Sequence, residues 1–259
     1  MTRLIDLSAD VGEGYGSWRM GDDATLLPSL SSANIACGYH AGDPTLMRRT
    51  VELCRDHGVA MGAHPSFPDR VGFGRRTLQM SRDELFCDVV YQVGALSGFA
   101  LAAGVPLSHV SPHGRLGNLV VTDEAYASPV LDAVAAVDDS LAVVTYSGVL
   151  EQLARERGMR VGLMAFPDRG YEEDGTLVSR HQPGSVLHDP DRIAERALRM
   201  ATTGTVETHT GTTVELDFDT LLLHGDNAES VAAAHLVRGA LEGAGITIAP
   251  LVDVLAARS

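Results

Sequence analysis

Residues Ser32-Ala-Asn-Ile-Ala-Cys-Gly-Tyr-His-Ala-Gly-Asp43, followed by Pro44, decide the fold. The apolar run Ala33–Cys37 has the length of a buried strand. It gives way to a glycine-bearing loop in which Asn34 and His40 leave the strand, the glycines letting backbone come close to a ligand. Asp43 then Pro44 is an N-cap with proline at the first helical position, and Gly58 is the matching stop. Strand, polar loop and capped helix form one unit.

The unit recurs along the chain. Strand-length apolar runs are Leu4–Asp10, Ala33–Cys37, Val59–His64, Ser108–His113, Leu141–Tyr146, Val161–Phe166 and Thr220–His224. Ser81-Arg-Asp-Glu84 is a capping box that opens a helix to about Gly104. Asp189-Pro190 opens another that ends at Gly204, and Asp226 opens the last long helix, to about Gly243. Strands alternating with helices are parallel and joined by crossovers.

An open sheet and a closed barrel both meet that pattern. Gly12, Gly14 and Gly16 follow the first strand, but no long helix does, so the dinucleotide fingerprint is missing. Polar residues instead sit just past nearly every strand: Asp10 and Glu13, Asn34 and His40, His64, His113, Asp168 and Arg169, His224 and Asp226. Only a barrel gathers all those ends at one mouth. The expected fold is a distorted seven-stranded (β/α) TIM-like barrel, one domain over 1–259. A lid-like loop at 168–188 and an appended hairpin at about 202–219 break the pattern.

Composition narrows the function. The 259 residues suffice for a large core, and the formal charge is −14. All 20 basic residues are arginine. That excludes Schiff-base, P-loop and general-base lysines, and the acidic balance argues against nucleic acid. No leader is visible at the N-terminus and no stretch approaches the roughly 18 apolar residues of a membrane span. Cys37, Cys54 and Cys87 lie in apolar-periodic segments and read as buried thiols of a reducing cytoplasm.

Asp10 and Glu13 in a tight glycine turn suit acid–base work. His40, His64, His113 and His224 occupy equivalent strand ends, and Asp10 with His40 and His64 could hold a divalent metal, although HExxH and CxxC spacings are missing. Arg75-Arg76 on a glycine loop, and Arg169 beside Asp168, suit a carboxylate or phosphate clamp. Asp43 reads as a cap. His57, His109, His181, His188, His209 and His235 read as helix-end or loop residues without a role. Neither a G-x-S-x-G elbow nor a Walker motif is present, so serine nucleophilic catalysis and a P-loop nucleotide site are disfavoured.

DLSADVGEGYG, SSANIACGYHAGD, GAHPSFPDRVGFGRR, YQVGAL, SPHGRLGN, FPDRGYEEDGTLVSR and LLLHGD, in that order, resemble the LamB/YcsF family, the A-subunit of a bacterial ATP-dependent 5-oxoprolinase. The resemblance implies a barrel related to polysaccharide-deacetylase-like barrels. It also implies ATP-driven opening of 5-oxoproline (pyroglutamate) to L-glutamate in a complex with subunits B and C. Expected catalytic residues are Asp10, Glu13, His40, His64, His113, Asp168 and Asp226, with Asn34, Arg75, Arg76, Arg169 and His224 on the substrate. Homo-oligomerisation is compatible with this reading. The chain departs from the family pattern at Ser111 (family Lys), Arg115-Leu116-Gly117, Met164 (family Glu), Pro167 and Ser8. These departures keep two alternatives in view: a metal-dependent deacetylase-like hydrolase of another amide or lactam, and a diverged binding or scaffold paralogue.

Overall fold

In a computed structural model, residues 4–179, 182–225 and 228–258 are described. The first strand, β1 (Leu4–Val11), is nearly all buried, with Leu7, Ala9 and Val11 at most 1% exposed. It pairs in parallel with β2 (Ser32–Ala36), and the ring continues through β3 (Ala60–His64), β4 (Leu107–Val110), β5 (Ala142–Thr145) and β6 (Val161–Ala165). The next barrel strand, Thr220–Leu223, is β9 and pairs with both β6 and β1, so seven parallel strands close on themselves. Ser8 lies opposite Ser32 on one side and Leu222 on the other. Both faces of these strands are covered, so the polar residues they carry, such as Ser8 and Asn34, are buried and hydrogen-bonded.

Helices fill the crossovers. α1 (Asp23–Leu26) follows β1, and α2 (Pro44–His57) is capped by Asp43, whose Oδ1 accepts from Thr45 N (2.9 Å) and Leu46 N (3.0 Å). Gly58 ends α2 in the left-handed conformation, φ 67°. The capping box at Ser81 and Glu84 opens α3 (Arg82–Ala102). α4 (Gly114–Thr122) and α5 (Glu124–Val137) both lie between β4 and β5, where the sequence reading placed no separate elements. α6 (Val149–Glu156) precedes β6, and α7 (Pro190–Thr203) is capped by Asp189 as expected. The hairpin between α7 and β9 is β7 (Thr205–Glu207) with antiparallel β8 (Thr213–Glu215). After β9 come α8 (Ala228–Gly243), a two-residue strand β10 (Thr247–Ile248) beside the start of β1, and α9 (Leu251–Arg258).

Three sequence expectations change. α3 has an 18-residue window of mean hydropathy 1.5, long and apolar enough for a membrane span, yet here it packs against α5 and α2. Cys87 is exposed, because it falls on the outward face of α3 between buried Leu85 and Val89; Cys37 and Cys54 are buried as read. β4 stops at Val110, where Pro112 lacks the N–H to continue a ladder, so Ser111 and His113 belong to the loop.

Opposite the mouth, Asp6 is fully buried at the start of the barrel and accepts from Ser31 Oγ and Ser32 Oγ, each at 2.7 Å. Burial, opposed by those hydroxyls, pushes its carboxyl up to about 6.

Candidate functional site

The C-terminal strand ends converge, and three histidines from consecutive crossovers meet there. His40 follows β2, His64 ends β3 and His113 follows β4; His40 and His113 stack with ring centroids 3.8 Å apart. Glu13, after β1, reaches into the same group: its Oε1 is 3.1 Å from His40 Nε2 and 3.4 Å from His113 Nδ1. Asp10 stands beside it, with Oδ1 3.3 Å from His64 Nε2. All three imidazoles are buried.

Neighbouring carbonyls fix the tautomers. A carbonyl can only accept, so His64 Nδ1 donates to Ser111 O (2.5 Å) and His113 Nε2 donates to Phe73 O (2.9 Å). The remaining nitrogens, His64 Nε2 and His113 Nδ1, face each other at 3.0 Å. In two neutral rings these would be opposed lone pairs, so a cation belongs between them: a proton or a metal ion. Phe73 aims its carbonyl from a left-handed conformation, φ 53°, the one non-glycine residue in that region among those described. A Cβ on the next residue, Gly74, would lie 2.2 Å from Ser66 Oγ and 2.9 Å from His113. Only glycine lets this loop press onto the cluster.

The two carboxyls diverge. Burial alone would raise Asp10, yet His64 alongside and the Asn34 amide hold it well below the usual carboxylate range. Burial, and then the Asp10 charge, push Glu13 up to about 8. Burial works against a charged His64 too, but Asp10 and Glu13 raise it. His40 is driven well below its ordinary value by burial and by the other two rings, and burial with the His64 charge takes His113 down to about 3.

A second layer supports Asp10. Asn34 Nδ2 donates to Asp10 Oδ1 (2.9 Å), and His109 Nε2 donates to Asn34 Oδ1 (2.8 Å). His109, read as a helix-end or loop residue, is instead fully buried on β4, with Ser108 Oγ 2.7 Å from its Nδ1. Burial lowers it to about 3, so it serves as a neutral donor. The signal in the sequence was Gly62 on β3: a Cβ there would sit 2.2 Å from the His109 ring.

The other expected residues divide. Arg75 reaches the rim, its guanidinium 5.1 Å from the Phe73 ring centroid. Arg76, expected to hold substrate, instead closes its own loop on buried Asp69, with Nε 2.9 Å from Oδ1; a carboxylate seven residues upstream takes its donors. Arg169 is likewise committed to backbone: Nε donates to Ser185 O (2.9 Å) and Nη2 to Val178 O (2.8 Å), folding the 168–188 segment over itself. Asp168 and His224 form an ion pair across the β6 and β9 ends, lining a cavity of about 160 Å³ with Val186, Leu187 and Ile193. Asp226 lies outside the described residues.

The metal expectation shifts from Asp10, His40 and His64 to Glu13, His40, His64 and His113, whose ligand atoms all lie within 4.8 Å of one another. Zinc at bond lengths of about 2.0–2.1 Å sets tetrahedral ligand atoms roughly 3.3–3.4 Å apart. The 3.0, 3.1 and 3.4 Å separations suit such an ion with small adjustments, and the second nitrogens of His64 and His113 are oriented by carbonyls as metal ligands require.

The sequence profile of the LamB/YcsF family matches residues 5–256, nearly the whole chain. The chain belongs to the LamB/YcsF family. A relative in Symbiobacterium thermophilum, named as the A-subunit of 5-oxoprolinase, is 48% identical over 253 residues, 97% of each chain. The crystal structure of a lactam utilization protein from Thermus thermophilus superimposes with a TM-score of 0.91 at 46% identity, covering 95% of this chain and 99% of that one. The peptidoglycan deacetylase PdaC from Bacillus subtilis, at 16% identity and TM-score 0.52 over 99% of this chain and 93% of its own, shares the barrel. LamB/YcsF membership and the closed seven-stranded barrel therefore both agree with the sequence reading.

Proposed function

We propose that this chain opens a lactam ring, converting 5-oxoproline to L-glutamate with ATP hydrolysis, as the A-subunit of an assembly with subunits B and C. The substrate rests on the name carried by relatives alike over nearly their whole length. The chemistry rests on the geometry of two carboxyls from one turn, Asp10 Oδ1 3.3 Å from His64 Nε2 and Glu13 Oε1 3.1 Å from His40 Nε2, in environments that lower Asp10 and raise Glu13 to about 8.

Water attacks the lactam carbonyl, its proton passing to Asp10, and negative charge develops on the carbonyl oxygen. His64, made more basic by Asp10 and sharing the proton that lies between it and His113, donates to that oxyanion. The C–N bond breaks, and Glu13, protonated near neutral pH, supplies the proton to the departing nitrogen. A five-membered lactam is resonance-stabilised, and hydrolysis of ATP to ADP and inorganic phosphate in the complex drives its opening. His224, after the β9 strand beside β1, and Asp168, after β6, lie on the opposite side of β1 from His64 and orient the ring. ATP is a co-substrate of the complex.

Opposed lone pairs on His64 and His113 favour a second reading, a metal-dependent hydrolase of an amide or lactam. His40, His64, His113 and Glu13 would then hold the ion. When bound, such an ion supplies a nucleophilic hydroxide and polarises the carbonyl. The deciding experiment is glutamate release from 5-oxoproline by this chain with subunits B and C, with and without ATP. ATP-dependent glutamate is expected; none, from a folded and assembled complex, refutes the lactam reading.

A further inference from the structure

We propose that Arg75 and Arg115 form an oxyanion-binding site on the β3–β4 side of the barrel mouth, taking a carboxylate or phosphoryl group carried by the substrate. The chain's charge is −14, and several arginines on the outer helices meet carboxylates: Arg48 with Glu52, Arg155 with Glu151, Arg238 with Glu242. Arg75 and Arg115 do not. Among the described residues neither has a carboxylate within ion-pair distance. Arg115 has only its Nε engaged, on Thr77 Oγ1 (2.8 Å), which fixes the side chain and leaves both terminal nitrogens to a ligand.

The two residues belong to loops knitted together. Arg115 N donates to Gly74 O (2.9 Å), and a Cβ on Gly114 would lie 3.7 Å from Arg75 Cγ. Arg75 sits beside the cluster, and Arg115 is tied to the Arg75 loop. Arg75 acts electrostatically on Glu13, His40 and His113, while Arg115 and Arg169 act together on the Tyr146 phenol. Phe73 lies under Arg75 and its carbonyl holds His113, so an anion drawn to Arg75 arrives one side chain from the reacting groups. Unpaired guanidinium forks on a scaffolded rim are suited to planar or tetrahedral oxyanions, which they bind bidentately. The inference deepens the lactam reading by anchoring the substrate's carboxylate or an added phosphoryl group.

The chain's one tryptophan, Trp18, packs edge-on to Phe73 at 6.3 Å and reports on this loop. Its fluorescence should be titrated with inorganic phosphate and, separately, with acetate at fixed ionic strength. Saturable binding is expected for the parent and for an exterior control, Arg48→Gln. Arg75→Gln and Arg115→Gln should each weaken it about tenfold, and the double variant should abolish it. Preference between the anions tells phosphoryl from carboxylate. Binding that survives in the double variant, or no saturation by either anion, overturns the proposal; urea melts confirm that the variants are folded. Because binding is read without turnover, anion binding lost in the double variant alongside absent glutamate release sinks the lactam reading alone. Glutamate release without anion binding sinks this one.

Discussion

Gly62→Ala tests whether the buried relay behind Asp10 is real. Gly62 is not among the positive-φ glycines, so its backbone tolerates alanine and any cost comes from space. The added methyl would meet the His109 ring at 2.2 Å, where ordinary contact begins at 3.4 Å, so the ring must retreat by about 1.2 Å. The 2.8 Å bond from His109 to Asn34 then stretches to about 4.0 Å, beyond hydrogen bonding. Overpacking costs about 1–3 kcal/mol and the stranded buried amide oxygen about 1–3 more, giving roughly 2–6 kcal/mol. For a chain of this size that lowers the melting temperature by roughly 4–24 °C. Urea and thermal denaturation measure it. His109→Ala removes the ring the methyl strikes, so Gly62→Ala should add little in that background. A Gly62→Ala protein within about 0.5 kcal/mol of the parent, or an unchanged cost alongside His109→Ala, refutes the reasoning.

Asp10→Asn keeps the acceptor for Asn34 but removes the charge, and should lower glutamate release at least about 100-fold with the fold intact; near-parental turnover removes Asp10 from the reaction. If the cation between His64 and His113 is a metal, elemental analysis of protein purified without chelator will find about one divalent ion per chain, lost in His64→Gln. Metal-free protein with full activity leaves the proton as that cation. Asp6 carries a folded-state value of about 6 against an ordinary 3.8, so the folded chain binds its proton more tightly. Its stabilisation is full at acid pH and lost as pH rises through 6, by up to about 3 kcal/mol. Asp6→Asn should flatten that slope in urea melts between pH 4 and 7; an unchanged slope assigns the pH dependence elsewhere.

Caps and strand ends made much of this molecule legible. Asp43-Pro44 and Gly58 bounded α2 because their chemistry is local, and seven apolar runs gave seven barrel strands. Equivalent strand ends foretold that His40, His64 and His113 would meet. What stayed hidden depended on distant partners. Arg75 and Arg76 are neighbours of identical type, and only Asp69, folding back from the same loop, separates a rim cation from a staple. His109 looked idle because its function lies in Asn34, 75 residues away. β10 is two residues long, too short for any periodicity to register.

Closure of the ring between β9 and β1 has a consequence for the order of synthesis. Glu13, His40, His64 and His113 all precede the fifth strand, whereas Ser8 Oγ meets Thr220 Oγ1 (2.8 Å) across a separation of 212 residues. A growing chain thus carries the whole cluster on four adjacent strands long before the strand that completes the cylinder leaves the ribosome. The half-built sheet has an open edge beside β1, and the slow, long-range step of folding is the return of β9 to cover it.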